Sequence, residues 1–124
     1  MSQRLARVQK LARQVLGEAI LDLKDPRVGF ATVTAVRISA DLRHARVLVS
    51  VLGSEDEQRD TMAGLESAKP WLRSELGRQV RLRYLPELVF ERDEGAERAE
   101  RLELLLRQAA ASPAEEPARG DGSG

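Results

Sequence analysis

The 124-residue sequence contains no cysteine, one histidine and few aromatic residues, which make up 3% of the chain. Without cysteine the chain has no disulfide, thiolate zinc site, iron–sulfur cluster or cysteine nucleophile. A single imidazole, His44, leaves little capacity for metal binding or acid–base catalysis. Scarce aromatics also weaken interpretations that need stacking platforms for unpaired bases. The composition therefore argues against most enzyme classes, and we expect no cofactor and no metal.

Long apolar runs are also missing. No stretch approaches the roughly 20 apolar residues that span a bilayer. Residues 1–4 lead into an amphipathic segment and not into the apolar core of a signal peptide. With 42% hydrophobic and 32% charged residues, the chain has enough apolar material for one packed core. We expect a globular, cytoplasmic protein.

The charges balance overall, with 20 basic and 20 acidic residues, but they are segregated along the chain. Residues 1–53 carry a net charge of +5, residues 54–67 of −4, residues 68–83 of +4 and residues 84–124 of −5. If the two basic blocks meet in the fold, they form a positive face that can contact phosphates. The alternative is ordinary solvated charge without a partner.

The first half of the chain predicts one helix and a hairpin. Apolar residues three and four positions apart predict an amphipathic helix over residues 5–23, which ends before Pro26. Residues 30–38 and 45–52 are rich in valine and other strand-forming residues and predict two strands. The turn-forming segment 39–44 joins them as an antiparallel hairpin.

The next segment predicts two helices with an interruption. Ser54 and Glu57 match a capping box, so a helix begins there. Pro70 cannot continue it, because proline lacks the backbone donor and its ring collides with the preceding turn. Helical character resumes with Trp71, whose side chain we expect in the helix-packing core. Gly77 is the predicted end of this last helix.

Residues 80–84 alternate apolar and basic side chains and predict a third strand, with Arg81 and Arg83 projecting from one face. Pro86 marks the end of that strand or a bulge. Beyond it, residues 93–110 predict a charged C-terminal helix with a thin apolar side, and residues 111–124 a disordered tail rich in proline and glycine.

The predicted fold class is α+β, a single domain with a three-stranded sheet packed on helices. Two RNA-binding folds fit this order of elements. An RNA-recognition motif needs exposed aromatics on its central strands, which this chain does not provide. A K-homology (KH) domain clamps the RNA backbone with a GxxG loop, and no GxxG occurs here. The residues alone therefore leave the RNA-binding mode open.

Four motifs carry a family resemblance that spans roughly residues 4–93. They are Arg4-x-x-Arg7-Val8, Lys24-Asp25-Pro26-Arg27, Val33-Thr34-x-Val36-x-x-Ser39-x-Asp41-Leu42-x-x-Ala45-x-Val47 and Leu82-Arg83-x-x-Pro86-Glu87-Leu88-x-Phe90-x-x-Asp93. In this order and spacing, the chain resembles the ribosome-binding factor A family.

The resemblance implies a KH-like (type II) domain over residues 1–92, in which a helix–kink–helix replaces the GxxG loop. The family's Ala-x-Gly interruption corresponds to Ala68-Lys69-Pro70 in this chain. Proline stands where the family usually has glycine, so a missing donor and a ring clash replace backbone freedom as the cause of the kink. A second departure is Asp93-Glu94-Gly95, where the family usually has Asp-x-Ser.

The resemblance also implies a function. It implies a monomeric, non-enzymatic factor that binds the immature 30S ribosomal subunit and 16S rRNA and supports late maturation, processing of the rRNA 5′ end and cold adaptation. An assembly GTPase is an expected partner. The alternative function is a protein-interaction adaptor that uses the acidic C-terminal helix or tail. The candidate phosphate contacts are Arg4, Arg7, Lys24, Arg27, Arg43, Arg46, Lys69, Arg73, Arg78, Arg81 and Arg83.

Overall fold

The structure is a computed structural model that describes residues 3–111. Its elements are, in chain order, helix α1 (Gln3–Leu21), strands β1 (Ala31–Ile38) and β2 (His44–Val51), helices α2 (Glu55–Ser67) and α3 (Lys69–Gln79), strand β3 (Glu87–Arg92) and helix α4 (Glu94–Ala111).

The described chain divides into two compact units after Glu94. Ala111, which the sequence predicts as the first residue of the tail, is instead the last residue of α4. The rest of the predicted tail, residues 112–124, lies outside the described residues. Within residues 3–111, no helix is both long enough and apolar enough to cross a membrane.

The three strands form one sheet in the order β1-β2-β3. β1 and β2 form the predicted antiparallel hairpin, and β2 and β3 pair in parallel. The β1 register shifts at Thr34, whose hydroxyl donates a hydrogen bond to Asp93 Oδ2 at 2.8 Å. The backbone N–H of Asp93 in turn donates to the carbonyl of Val49 at 2.7 Å. Asp93 thus connects the end of β3 to both other strands.

One face of the sheet and the apolar stripe of α1 form the core. Alternate strand residues point into it because strand side chains have a period of two. The buried strand residues are Val33, Val36, Ile38, Ala45, Val47, Val49, Val51, Leu88 and Phe90. α1 contributes Ala12, Val15, Leu16, Ala19 and Ile20, which recur at helical spacing, and it packs against β1 and α3. Leu65, Leu72 and Leu76 complete the core from α2 and α3.

The break between α2 and α3 falls at Ala68. Ser54 and Glu57 form the predicted capping box at the start of α2. Ala68, with a φ of −87° and a ψ of −1°, is both the C-cap of α2 and the N-cap of α3, which begins at Lys69. Pro70 lies in the first turn of α3. Backbone N–H groups in the first turn make no hydrogen bond within the helix, so the missing N–H of proline is tolerated there. The interruption therefore lies within the predicted triplet.

The predicted third strand over residues 80–84 is wrong. Val80 is the C-cap of α3, and its N–H donates to the Leu76 carbonyl at 2.9 Å. The strand is instead β3, after Pro86, where Leu88 and Phe90 reach the core. The two apolar residues of the alternating pattern do not belong to a strand. Val80 is buried as the C-cap of α3, and Leu82 is partly buried in the segment that follows.

Two expectations for α3 are also wrong. The helix does not end at Gly77 but continues to Gln79. Gly77 is required for a close approach, because a Cβ there would lie 2.7 Å from Leu85 Cδ2. Trp71 is not in the core, since 42% of the residue is exposed.

The loop between α1 and β1 is closed by the ion pair between Asp25 and Arg27, which we call the clip. Asp25 accepts hydrogen bonds from the backbone N–H of Arg27 at 2.9 Å and from its guanidinium Nη2 at 2.6 Å. The same Nη2 donates to Ser67 Oγ at 3.1 Å, which attaches the loop to α2. The hydrogen bonds from the Arg27 side chain and then from its backbone lower the pKa of Asp25 from 3.8 to about 2.

This shift predicts a pH-dependent contribution of Asp25 to stability. Because the pKa of Asp25 is lower in the folded state, the contribution is complete above the unfolded value of 3.8 and is lost as the pH falls through about 2. We expect Asp25→Asn to lower the free energy of unfolding at neutral pH, and the deficit to shrink between about pH 5 and pH 2. Urea unfolding at each pH measures it.

The control for this experiment is the same substitution in an Arg27→Gln background, where the clip is already broken. There, only the backbone hydrogen bond to Asp25 remains, so Asp25→Asn should cause a smaller deficit that changes less with pH. If Asp25→Asn alone lowers the free energy of unfolding by an amount that stays constant with pH, the role assigned to the clip is wrong.

Candidate nucleic-acid interface

The segment 80–86, which links α3 to β3, is held in place without forming a strand. Arg73 on α3 donates hydrogen bonds from Nε to the Pro86 carbonyl at 3.0 Å and from Nη2 to the Leu85 carbonyl at 2.8 Å. The Pro86 side chain is fully buried, and Leu85 lies close to Gly77 on α3. The segment is therefore fixed by Arg73 and by its own buried proline. It exposes three side chains, Arg81, Arg83 and Tyr84.

The β1–β2 hairpin presents Arg43 beside this segment. Asp41 accepts hydrogen bonds from Ser39 Oγ at 2.6 Å and from the Arg43 N–H at 3.1 Å, which lower the pKa of Asp41 and confirm it as a turn former. Leu42 adopts a φ of 63°, an unfavourable value for a residue with a Cβ, and packs against the core. The Glu87 N–H donates to the Arg43 carbonyl at 2.8 Å, so the hairpin and segment 80–86 meet.

Six of the predicted phosphate contacts line three adjoining grooves, which we call the basic surface. Arg83 lines all three grooves, and Arg4 lines two of them. Because the grooves share these side chains, they form one continuous surface. The six residues of the basic surface are Arg4, Arg43, Arg73, Arg78, Arg81 and Arg83.

The charges of this surface are mostly not neutralised. Within residues 3–111, Arg4, Arg43, Arg81 and Arg83 form no ion pair with an acidic side chain. Arg78 pairs with Glu75 one helical turn earlier. Four guanidinium groups are therefore available to anionic ligands at one end of α1.

The other five predicted contacts lie outside the basic surface. Arg7 is exposed on α1. Arg46 lies on the outer face of the sheet and donates two hydrogen bonds to Glu91, at 2.8 and 2.7 Å, which lower the pKa of Glu91. Lys69, at the helix break, pairs with Glu66 at 2.9 Å. Together with Arg27, which pairs with Asp25, three of these five side chains have acidic partners within residues 3–111.

Lys24 and Arg27 lie at the far end of α1. Arg4 and Leu21 are separated by about 25 Å along the helix axis at roughly 1.5 Å per residue. Arg27 is engaged by Asp25. These two basic residues belong to a region that we call the acidic end, residues 22–30 and 52–61, which holds six acidic and three basic residues. The two parts of the acidic end meet at one groove, where Phe30 lies near Asp60.

Sequence reasoning missed Tyr84. The Cζ atoms of Arg43 and Arg83 lie 5.3 and 5.8 Å from the centroid of the Tyr84 ring, within the range of cation–π contacts. Tyr84 is 46% exposed, and His44 lines the same groove. In the sequence, the two arginines next to Tyr84, Arg81 and Arg83, indicate that its ring lies among basic groups. The predicted strand instead explains the same arginines as one face of a sheet.

The chain matches the family model of ribosome-binding factor A over residues 4–106. It is 45% identical over 106 residues to a protein of Natranaerobius thermophilus named ribosome-binding factor A, an alignment that covers 85% of this chain and 81% of the relative.

Solved structures agree with the sequence match. The crystal structure of ribosome-binding factor A from Thermus thermophilus superposes with a TM-score of 0.65 at 34% identity and covers 71% of this chain and 94% of that one. A Thermus thermophilus homology model, fitted into a cryo-EM map of a 30S complex of that factor, has a TM-score of 0.59 at 34% identity and covers 70% and 92%. The predicted KH-like α+β fold is confirmed.

The two hydrogen bonds from Arg73 to the carbonyls of Leu85 and Pro86 predict that Arg73 positions segment 80–86. We expect Arg73→Lys, which keeps the charge but cannot reproduce the paired guanidinium bonds, to speed hydrogen exchange of the Glu87 amide, which donates to the Arg43 carbonyl where segment 80–86 leads into β3. Exchange in α1 should be unchanged. Arg78→Lys is the matched control, because Arg78 makes no hydrogen bond to this segment. Equal protection of the Glu87 amide in both variants would contradict the assigned role.

Proposed function

Because the chain belongs to the ribosome-binding factor A family, we propose that it is a non-enzymatic ribosome assembly factor that binds the immature 30S subunit through 16S rRNA. The observation that carries the proposal is the basic surface, with four arginines that have no acidic partner within residues 3–111. The 30S complex of the Thermus factor supports the choice of partner.

The separation of charge gives the binding a direction. Phosphates of a folded RNA attract the basic surface, and contact releases the counterions that had screened them. The acidic end, about 25 Å away along α1, is repelled by the same phosphates. The protein therefore approaches RNA with Arg4, Arg43, Arg81 and Arg83 leading, although its net charge is zero.

The proposed action is a shift of conformational equilibrium. A protein that binds one arrangement of the rRNA more tightly than another raises the population of the first. Departure follows when maturation removes that arrangement. We extend the proposal to late maturation, processing of the rRNA 5′ end and growth in the cold, where misfolded RNA helices are more stable and escape slowly. In this proposal the protein acts as a cytoplasmic monomer beside an assembly GTPase.

The adaptor alternative concerns α4. This helix exposes Leu102, Leu105 and Leu106, between 56% and 61% of each residue, which an apolar protein interface could use. Salt separates the two functions, because phosphate contacts weaken log-linearly with salt concentration, whereas an apolar interface responds weakly.

The proposal predicts that Arg81→Gln with Arg83→Gln weakens binding to immature 30S particles. Each lost phosphate contact should reduce the slope of log affinity against log salt by about 1, so we expect a reduction of about 2. Affinity at about 0.1 M salt should fall at least tenfold, since charged hydrogen bonds contribute roughly 1.5–3 kcal/mol each. Co-sedimentation across a salt series measures both quantities.

The matched control is Lys24→Gln with Arg59→Gln, which removes the same charge from the acidic end. Its affinity and salt slope should equal those of the original protein. Equal weakening by the two double variants would show that only net charge matters. Absence of binding to either immature or mature particles by the original protein would overturn the proposed function.

A further inference from the structure

Tyr84 is an aromatic side chain that the fold exposes without using it in the core. Segment 80–86 is anchored by the buried Pro86 and by the two hydrogen bonds from Arg73, so the position of Tyr84 does not depend on its own burial. Its ring lies in a groove with three arginines, Arg43, Arg73 and Arg83, and with His44, Leu85 and one acidic residue, Glu87. An exposed ring among basic groups has the composition of a stacking platform for nucleobases.

The two neighbouring guanidinium groups come from different parts of the chain. Arg83 precedes Tyr84, whereas Arg43 is brought there by the hairpin, through the bond between its carbonyl and the Glu87 N–H. Both Cζ atoms lie within 6 Å of the ring centroid, at 5.3 and 5.8 Å. Neither guanidinium pairs with an acidic side chain in the described part of the chain. Two cationic groups that can donate hydrogen bonds to phosphates therefore lie over the ring.

We propose that Tyr84, Arg43 and Arg83 form a subsite for one unpaired nucleotide, with its base stacked on the Tyr84 ring and its flanking phosphates on the two arginines. The inference rests on the proposed function and deepens it, because it specifies single-stranded RNA at this point of the basic surface. A base inside a duplex has both faces covered by its neighbours, so only an unstacked base can reach the ring.

The subsite differs from the rest of the basic surface in what it reads. Arg4 and Arg81 offer charge alone, which any phosphate backbone satisfies. Tyr84 offers an apolar face, which contributes only when a base is present. Removing the ring should therefore weaken binding without changing the number of phosphates contacted, and hence without changing the salt slope.

The test uses a single-stranded RNA of about eight nucleotides, a length typical of such sites, with a 2-aminopurine reporter. An abasic strand of the same length retains the phosphates but carries no bases. The variants are Tyr84→Leu, which removes the ring, and Tyr84→Phe, which keeps it. Trp71→Leu is the matched control, because Trp71 is exposed to a similar extent, 42%, on α3 and does not line this groove.

We expect Tyr84→Leu to bind the single strand about tenfold more weakly with an unchanged salt slope, and to lose the quenching of 2-aminopurine that the original protein causes. Tyr84→Phe and Trp71→Leu should remain within about twofold of the original protein. All four proteins should bind the abasic strand equally. These ratios correspond to the stacking contribution of a single base.

Equal affinity of Tyr84→Leu and the original protein for the single strand would overturn the subsite and leave the proposed function standing. So would the same loss of affinity on the abasic strand, since the ring would then act by holding the arginines. If Tyr84→Leu fails to fold, the original protein and Tyr84→Phe must still quench 2-aminopurine, and no quenching by either overturns the subsite. Failure of the original protein to bind 30S particles would overturn the proposed function itself.

Discussion

The parallel pairing of β3 with β2 is the constraint on which the basic surface depends. To enter the sheet in parallel beside His44, β3 must begin at the same end of the sheet as β2. Segment 80–86 therefore crosses that end of the sheet, next to the hairpin. The bond from the Glu87 N–H to the Arg43 carbonyl is the first link of this pairing. It brings two basic blocks together that are about forty residues apart in the sequence.

Charge placement, and not total charge, is the physical basis of the proposed function. Where basic and acidic side chains meet, as at Arg27 with Asp25 or Arg46 with Glu91, they hold loops and strands and are not available to RNA. Exposed pairs of this kind each stabilise a fold only by a small amount, so here they matter mainly because they fix the geometry of loops and strands. Four arginines that form no ion pair within residues 3–111 lie together on the basic surface: Arg4, Arg43, Arg81 and Arg83. A neutral protein can thus present a strongly cationic face.

The sequence predicted most of the architecture. The hairpin, the capping box at Ser54 and the break at residues 68–70 each depend on local rules of spacing, turn residues and proline chemistry. The third strand was misplaced because its position is decided by long-range pairing with β2, which local alternation cannot report. The role of Gly77 also depends on a contact that local sequence does not report. Its small size allows Leu85 to approach α3, and it does not end the helix.

The binding surface was predictable only in part. Segregated charge indicated that a basic face exists, but only the fold could show which residues form it. Lys24 and Arg27 match the family motif and still lie at the acidic end, because the length of α1 separates them from Arg4. Tyr84 gained its significance from Arg43, a neighbour that the hairpin supplies.

In the proposed function, the protein meets RNA with the end of α1 that carries the basic surface. Ultraviolet cross-linking of the protein to immature 30S particles, followed by mass spectrometry of the modified peptides, tests it most directly. We expect cross-linked RNA on peptides that contain residues 43–44 and 81–84, and none on peptides from residues 22–30 or 52–61. Cross-links concentrated on the acidic end would contradict it.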